Sequence, residues 1–247
     1  MKAQQEEWRT QVYAGYVHER RIPLAPDTLE GLRSRSYWLK RMIRDLFPES
    51  LDAPILEVGC GHGALIYFAR SLGYLNIRGV DGSPDQVASA RKLGIPGVEQ
   101  GDAMDALQKQ GANSLAALVA VDVIEHFERH EVLEFVSESY RVLRPGGRLI
   151  MHTVNGSSPF QGDSRYNDIT HNLAFTQNSM GQILSASGFR NFSFYEDTPA
   201  VHGIKSAARW LGWKVVRALL QAYNVIETGD LGREAIFSRN FTITATK

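Results

Sequence analysis

Four carboxylates and three glycines stand at spacings that suit a nucleotide-like ligand. Glu57 leads into Gly59-Cys60-Gly61-His62-Gly63, and Asp81, Asp102 and Asp122 each end or follow a strand-like run. Glycine lacks Cβ, so a turn built on it lets a ligand close onto backbone N–H groups. Asp81 lies 20 residues beyond Gly61, where a strand-turn-helix unit places the carboxylate that accepts both ribose hydroxyls. An adenosine-type cofactor is therefore the first expectation. A glycine turn alone is weak evidence, and the acids behind it at fixed distances supply the strength.

These residues need elements to position them. Apolar runs predict strands near 55–59, 76–81, 97–100, 116–122 and 147–154, with helices near 63–72, 84–93 and 129–143. That alternation implies a parallel sheet with helices on both faces. Ser83-Pro84 reads as a cap followed by proline in the first helical turn, and Leu143-Arg144-Pro145-Gly146-Gly147 as a helix stop, a turn and a new strand. Residues 156–175 form a long polar loop, of a length that compact domains keep for function. Thr176 then caps a helix to Ser187, Phe189 to Tyr195 form a strand, and Ile236 to Thr246 the last one. The chain divides into an N-terminal helical segment, 1–50, and a domain over 51–247. In the first part Tyr37, Trp38, Leu39, Met42, Ile43, Leu46 and Phe47 fall at helical spacing before Pro48. Trp8, Tyr13, Tyr16 and His18 either line the ligand pocket or pack that segment onto the sheet.

Composition narrows the classes further. Lysine plus arginine equals aspartate plus glutamate at 27 each, so no general field attracts nucleic acid. The single cysteine, Cys60, cannot form an internal disulfide and fits a reducing, cytoplasmic setting; it reads as a small residue packed in a tight turn. The first residues, with Glu6 and Glu7 and no apolar core, do not read as a signal peptide, and no run is long enough to span a bilayer. From Ile204 to Val225, Lys205, Arg209, Lys214 and Arg217 alternate with Trp210, Leu211, Trp213, Val216, Leu219 and Leu220. Such a helix either lies on an anionic membrane surface or packs on the sheet or a partner.

Glu57-x-Gly59-x-Gly61-x-Gly63, Asp81, Gly101-Asp102-Ala103, Asp122-Val-Ile-Glu125-His126 and Leu143-Arg-Pro-Gly-Gly147 resemble, in order, the motifs of class I S-adenosylmethionine-dependent methyltransferases. A nicotinamide dehydrogenase is the rival, because Gly59-x-Gly61-x-x-Ala64 also satisfies the dinucleotide fingerprint; Gly63, the Asp102 motif and the Leu-Arg-Pro-Gly-Gly turn argue against it. The resemblance implies an α/β fold on a Rossmann-like seven-stranded sheet whose final strand is antiparallel. It implies S-adenosylmethionine as cofactor, with Glu57 and Gly59 to Gly63 holding the amino-acid and ribose part. Asp81 and Gly82 would meet the ribose, Asp102 and the Ala103 amide the adenine edge, and Asp122 the methionine end.

Methyl transfer from a sulfonium needs no metal and no covalent intermediate, only alignment. A hydroxyl acceptor gains from a general base, and two histidines qualify. His171, in Asp168-Ile-Thr-His171, sits in the long loop with Asp168 to orient it; His126 follows the fourth strand. His171 is the preferred base. His126-Phe-Glu-Arg-His130 is not the His-Glu-x-x-His zinc arrangement, so no metal is expected. More loosely, Arg165-Tyr-Asn-Asp168-Ile-Thr-His171 with Ala174-Phe-Thr176, His202-Gly-Ile-Lys-Ser206, Glu227-Thr-Gly229 and Ile236-Phe-Ser-Arg-Asn240 resemble a bacterial subgroup of polysaccharide and lipid-linked glycan synthesis. That implies O-methylation of a sugar hydroxyl, with helix 204–225 at the inner face of the membrane. A quinone precursor, an amine, or a cofactor-binding regulator without turnover remain the alternatives.

Overall fold

In a computed structural model the described residues are 25–232 and 234–247, together with Val12. Trp8, Tyr13, Tyr16 and His18 lie outside them. Seven strands form one sheet: β1 (Ile55–Val58), β2 (Ile77–Asp81), β3 (Val98–Gln100), β4 (Leu115–Val121), β5 (Leu143–Val154), β6 (Asn191–Glu196) and β7 (Asn240–Thr246). Their order is β3-β2-β1-β4-β5-β7-β6. The first five are parallel, and β7 runs antiparallel between β5 and β6. Strand order reverses between β1 and β4, so their carboxyl ends open a crevice at that point.

Helix α1 (Arg33–Leu46) and helix α2 (Ala64–Ser71) cover one face. Leu39, Met42, Ile43 and Leu46 of α1 are buried there with Ile55, Ile66, Phe68 and Ile150. The spacing of those four apolar positions makes a single stripe, which is why α1 lies on the sheet. Helices α3 (Pro84–Lys92) and α4 (Ala103–Gln108) follow β2 and β3. On the opposite face α5 (Arg129–Val142) packs Val132, Phe135 and Val136 against Leu118, Met151 and Phe241. A short α6 (Gly162–Tyr166), then α7 (Gln177–Ala186) and α8 (Ile204–Thr228), complete the chain.

Several boundaries differ from the sequence reading. Strand β5 reaches back to Leu143, because Leu143 pairs with Leu115 before residues 144–147 bulge from the ladder and Arg148 resumes opposite Ala117. Strand β7 begins at Asn240 rather than Ile236: Ile236 and Phe237 are buried, but their carbonyls serve Asn155 and Ser158 side chains. Helix α4 lay unseen behind the Asp102 motif. The 156–175 loop contains α6 and is tied at its base by the Asn155–Phe175 bridge. Two caps hold as read: Ser83 Oγ accepts from Gln86 N before Pro84, and Thr176 with Ser179 closes a reciprocal capping pair.

Candidate active site

At the crevice lies a cavity of about 460 Å³, a size typical of small-molecule sites. Its floor is the turn from β1 into α2. Gly59 and Gly63 have φ of +63° and +80°, and a Cβ on them would stand 2.4 Å from Val123 Cγ2 and 2.7 Å from Val98 Cγ2. Only glycine meets both demands. The Gly61 amide donates to Asp81 Oδ2 at 2.7 Å, and the Ser83 amide donates to Oδ1 at 2.9 Å. Asp81 is thus braced against the turn, with lone pairs left on both oxygens for hydroxyl donors. Burial raises its pKa against those two hydrogen bonds.

Glu57 is 3% exposed, and its Oε2 has no hydrogen-bond partner among the described residues. Burial pushes its carboxyl well up, with Arg35 pulling it down and Asp81 raising it further. An orphan acceptor beside the glycine turn is a place for a ligand's donor. Asp102 caps α4, its Oδ1 accepting from the amides of Met104 and Asp105, and lines the cavity with Ala103, Gly101 and Gly82. Among the described residues, and apart from the glycine's own chain neighbours, nothing lies within 4 Å of a Cβ placed at Gly82 or Gly101, so a flat group can approach the backbone there. Donors, acceptors and open backbone fit an adenosine-bearing cofactor. Cys60 is buried, and burial raises its thiol pKa well above normal, so it is no nucleophile.

Asp122 lines the cavity, and its carboxylate is held by a histidine outside the motif. It takes a positive φ of 55° at the end of β4, and its Oδ1 lies 2.5 Å from Nδ1 of His152 on β5. Nε2 of His152 lies 2.7 Å from Asp197 Oδ2 beyond β6. Trp38 of α1 sets its edge against the His152 ring and donates to Asp197. Burial would lower the His152 pKa, but two flanking carboxylates raise it well above its ordinary value. Burial likewise opposes ionisation of Asp122, yet the imidazolium brings it down to about 2. His152 therefore clamps Asp122 as an ion pair. The sequence reading missed it, although a histidine inside the buried run from Leu149 to Val154 is itself a signal.

The part of the cavity expected to take the acceptor is lined by distant segments. His126 closes the 3-10 turn Ile124–His126 after β4, and Asp168 and His171 come from the long loop. Asp168 acts electrostatically on His171, and its Oδ1 also accepts from both the amide and the hydroxyl of Thr170. That hydroxyl has spent its proton, so at 2.7 Å it accepts from His126 Nδ1. His171 Nδ1 donates to the Ser164 carbonyl at 2.8 Å. Both rings, when neutral, therefore carry the lone pair on Nε2. Burial lowers the proton affinity of His171, against Asp168 and the Ser164 contact. Glu125 is also buried: burial first and the charge of Asp122 second push its carboxyl up to about 8, while Thr153 donates to it. Its backbone carbonyl takes the amides of Asn172 and Leu173, pinning the loop beside β4. Arg165 donates to the carbonyls of His171 and Asn172 from the other side.

A seven-stranded sheet with β7 antiparallel, a glycine turn at its switch point and an acid after each of the next three strands point to a nucleotide-cofactor enzyme of the methyltransferase class. Comparison with known proteins agrees. Residues 56–151 match the family described as Methyltransferase domain. A probable S-adenosylmethionine-dependent methyltransferase of Mycolicibacterium smegmatis is 30% identical over 189 residues, covering 74% of this chain and 70% of the relative. Human methyltransferase-like protein 27 is 28% identical over 143 residues, 56% of this chain and 57% of that protein. A SAM-dependent methyltransferase from Archaeoglobus fulgidus shares the fold, with TM-score 0.66 and 19% identity over 88% of this chain and 97% of its own. Phosphoethanolamine N-methyltransferase 2 of Haemonchus contortus, solved with S-adenosylhomocysteine, gives 0.61 and 18% over 95% of this chain and 60% of its own. The chain belongs to the S-adenosylmethionine-dependent methyltransferases. When bound, that cofactor supplies a methyl group activated on a sulfonium. The turn from Gly59 to Gly63, Glu57, Asp81, Gly82, Asp102, Ala103 and Asp122 would hold it in this cavity.

Proposed function

We propose that this methyltransferase transfers the methyl group to a hydroxyl of a saccharide, during assembly of a surface glycan or polysaccharide. The carrying observation is the polarity of the acceptor end of the cavity. Ser164, Asn167, Asp168, His171, His126 and Asn240 line it, so most of its side chains can exchange hydrogen bonds with a polyol. An apolar quinone precursor would leave the Asn240 Oδ1 acceptor without a hydrogen bond, at about 1–3 kcal/mol. Tyr166 on α6 is 80% exposed and lines a neighbouring depression with Asp163 and Asn167, which also line the cavity, an aromatic face that would suit one side of a sugar ring. Activation of the acceptor hydroxyl falls to the cluster of His126, Asp168 and His171.

The same reading gives α8 a role at the inner face of the membrane, meeting a lipid-linked acceptor on the cytoplasmic side. No helix among the described residues is long and apolar enough to cross a bilayer, so attachment would be lateral. Leu211, Val215, Leu219 and Ile226 are exposed along one side of α8, in support of that role. The test is methyl transfer from labelled cofactor to a panel of free sugars, nucleotide sugars, polyprenyl-linked saccharides, quinone precursors and primary amines. The expected product is a methyl ether on a saccharide; label confined to an amine or a quinone precursor would overturn the reading.

A further inference from the structure

The acceptor cluster has the make-up of a metal centre. One ring nitrogen from each of His126 and His171 and one carboxylate oxygen of Asp168 lie within 4.8 Å of one another. Ligands about 2.0–2.2 Å from a shared ion stand ~3–3.5 Å apart, a gap that small side-chain rotations close. The outer contacts are those of ligands held in place. Ser164 fixes the proton of His171 on Nδ1, and Thr170 fixes that of His126 on Nδ1 while tethering Asp168 Oδ1. Metal-bound histidines almost always donate their second nitrogen in this way, because it sets the tautomer and the ring plane. The two rings meet edge to face, with centroids 4.6 Å apart and planes at 78°. Asp168 is 6% exposed, and a buried carboxylate is favoured when it is paired with a cation or coordinates a metal.

We infer that His126, Asp168 and His171 bind a first-row divalent transition metal ion at the acceptor end of the cavity. Two imidazoles favour zinc, iron(II), cobalt(II) or manganese(II) over magnesium, which prefers an all-oxygen shell. Three protein ligands leave positions open toward the cavity. The local spacing at residues 125–130 argued against a metal, but Asp168 and His171 reach His126 only through the folded loop.

The site stands on geometry, while its chemistry rests on the hydroxyl-acceptor reading. A hydroxyl bound at an open position is acidified by the ion's charge, so His171 serves as a ligand and not as the proton acceptor. The O–H bond breaks and its proton leaves to water. The oxygen lone pair forms the O–CH₃ bond, and the electron pair of the S–CH₃ bond stays on sulfur. The products are a methyl ether, S-adenosylhomocysteine and one proton.

The full chain, stripped with chelator, should be titrated with Co²⁺ and Zn²⁺. We expect one ion per chain, with the visible absorption of a His-ligated Co²⁺. His171→Ala and Asp168→Asn should abolish that absorption while S-adenosylhomocysteine binding, the check on folding, stays unchanged. Thr170→Val should weaken the ion about 10–100-fold by freeing the His126 ring. Absence of Co²⁺ absorption in the wild type, or its survival in the His126→Ala/His171→Ala double variant, would overturn the proposal. So would full turnover of a saccharide by stripped protein, which leaves the acceptor reading intact. Stoichiometric Co²⁺ binding without methylation of any saccharide upholds the site and refutes that reading instead.

Discussion

The two ends of the cavity are built in opposite ways. At the cofactor end every key residue sits at the mouth of its own strand, and the contacts are short-range in sequence: Asp81 braces the Gly61 turn 20 residues away, and Asp102 caps the helix it begins. At the acceptor end the contacts leap: His126 meets Thr170 across 44 residues, and Asn172 returns to the His126 carbonyl across 46. A site held by adjacent backbone tolerates change elsewhere in the chain. One held by a loop can be re-tuned to new acceptors without disturbing the cofactor, which fits relatives named for such different substrates.

If that division is real, damage to one end should spare the other. The largest effect belongs to the acceptor end. His171→Ala should lower turnover by ~10²–10⁴-fold, the range for losing a group that activates a hydroxyl, while calorimetry with S-adenosylhomocysteine gives an unchanged affinity. A matching loss of cofactor affinity would collapse the two ends into one unit.

The converse experiment sits at Asp81. Its carboxylate braces the turn and keeps lone pairs toward the cavity, so Asp81→Ala should weaken S-adenosylhomocysteine binding by about 1.5–3 kcal/mol, the scale of hydrogen bonds to a charged group. Intact affinity in this variant would take Asp81 out of the ribose site.

Between the ends lies the His152 clamp, which belongs to neither. His152→Gln should cost about 1–2 kcal/mol of stability, less than a fully buried pair, because Asp122 and Asp197 are 39% and 26% exposed and water screens them. The pH dependence follows from both partners. His152 is raised above 6.5, so its contribution is complete below that value and disappears as pH rises through the folded pKa. Asp122 is lowered from 3.8 to about 2, so its contribution is complete above 3.8 and disappears as pH falls toward 2. Denaturant unfolding should show the largest difference between wild type and variant from about pH 4 to 6.5, narrowing on the alkaline side. A difference that grows above pH 8 would mean that His152 is neutral in the fold.

Legibility followed the same division. The glycine turn, Asp81, Asp102 and the order of strands were readable because a parallel α/β unit repeats strand, turn and helix within about 25 residues, each with its own punctuation. Helix α4 escaped because six residues carry too little periodicity to stand out. His126, Asp168 and His171 were each visible as titratable residues near predicted strand ends. Their convergence was not, since only the folded loop brings Thr170 to lie between Asp168 and His126. His152 was hidden for a related reason: nothing in a strand pattern says that Asp197, 45 residues on, will face it.

The smallest expected effect concerns α8, outside both ends, where the sequence pattern proved only partly informative. Of its four cations Arg217 turns inward, donating to Glu196 at 3.1 Å beside Trp213, and Lys214 sits over the Trp210 ring. Lys205 and Arg209 are exposed. The apolar side chains split as well: Trp213 and Leu220 lie inward and half-buried, whereas Leu211, Val215, Leu219 and Ile226 face out. A face with that much apolar surface and only three outward cations should bind anionic vesicles weakly, by about 1 kcal/mol per cation near the surface, with salt reducing the electrostatic part. Co-sedimentation should therefore be measurable at low salt and fall as salt rises. Lys205→Gln with Arg209→Gln and Lys214→Gln should weaken it further, and Arg217→Gln should instead loosen the fold through Glu196. Vesicle binding that ignores salt, or that vanishes only with Leu211→Ser and Leu219→Ser, would assign the outer stripe to apolar contact, leaving the lipid-linked acceptor without electrostatic support.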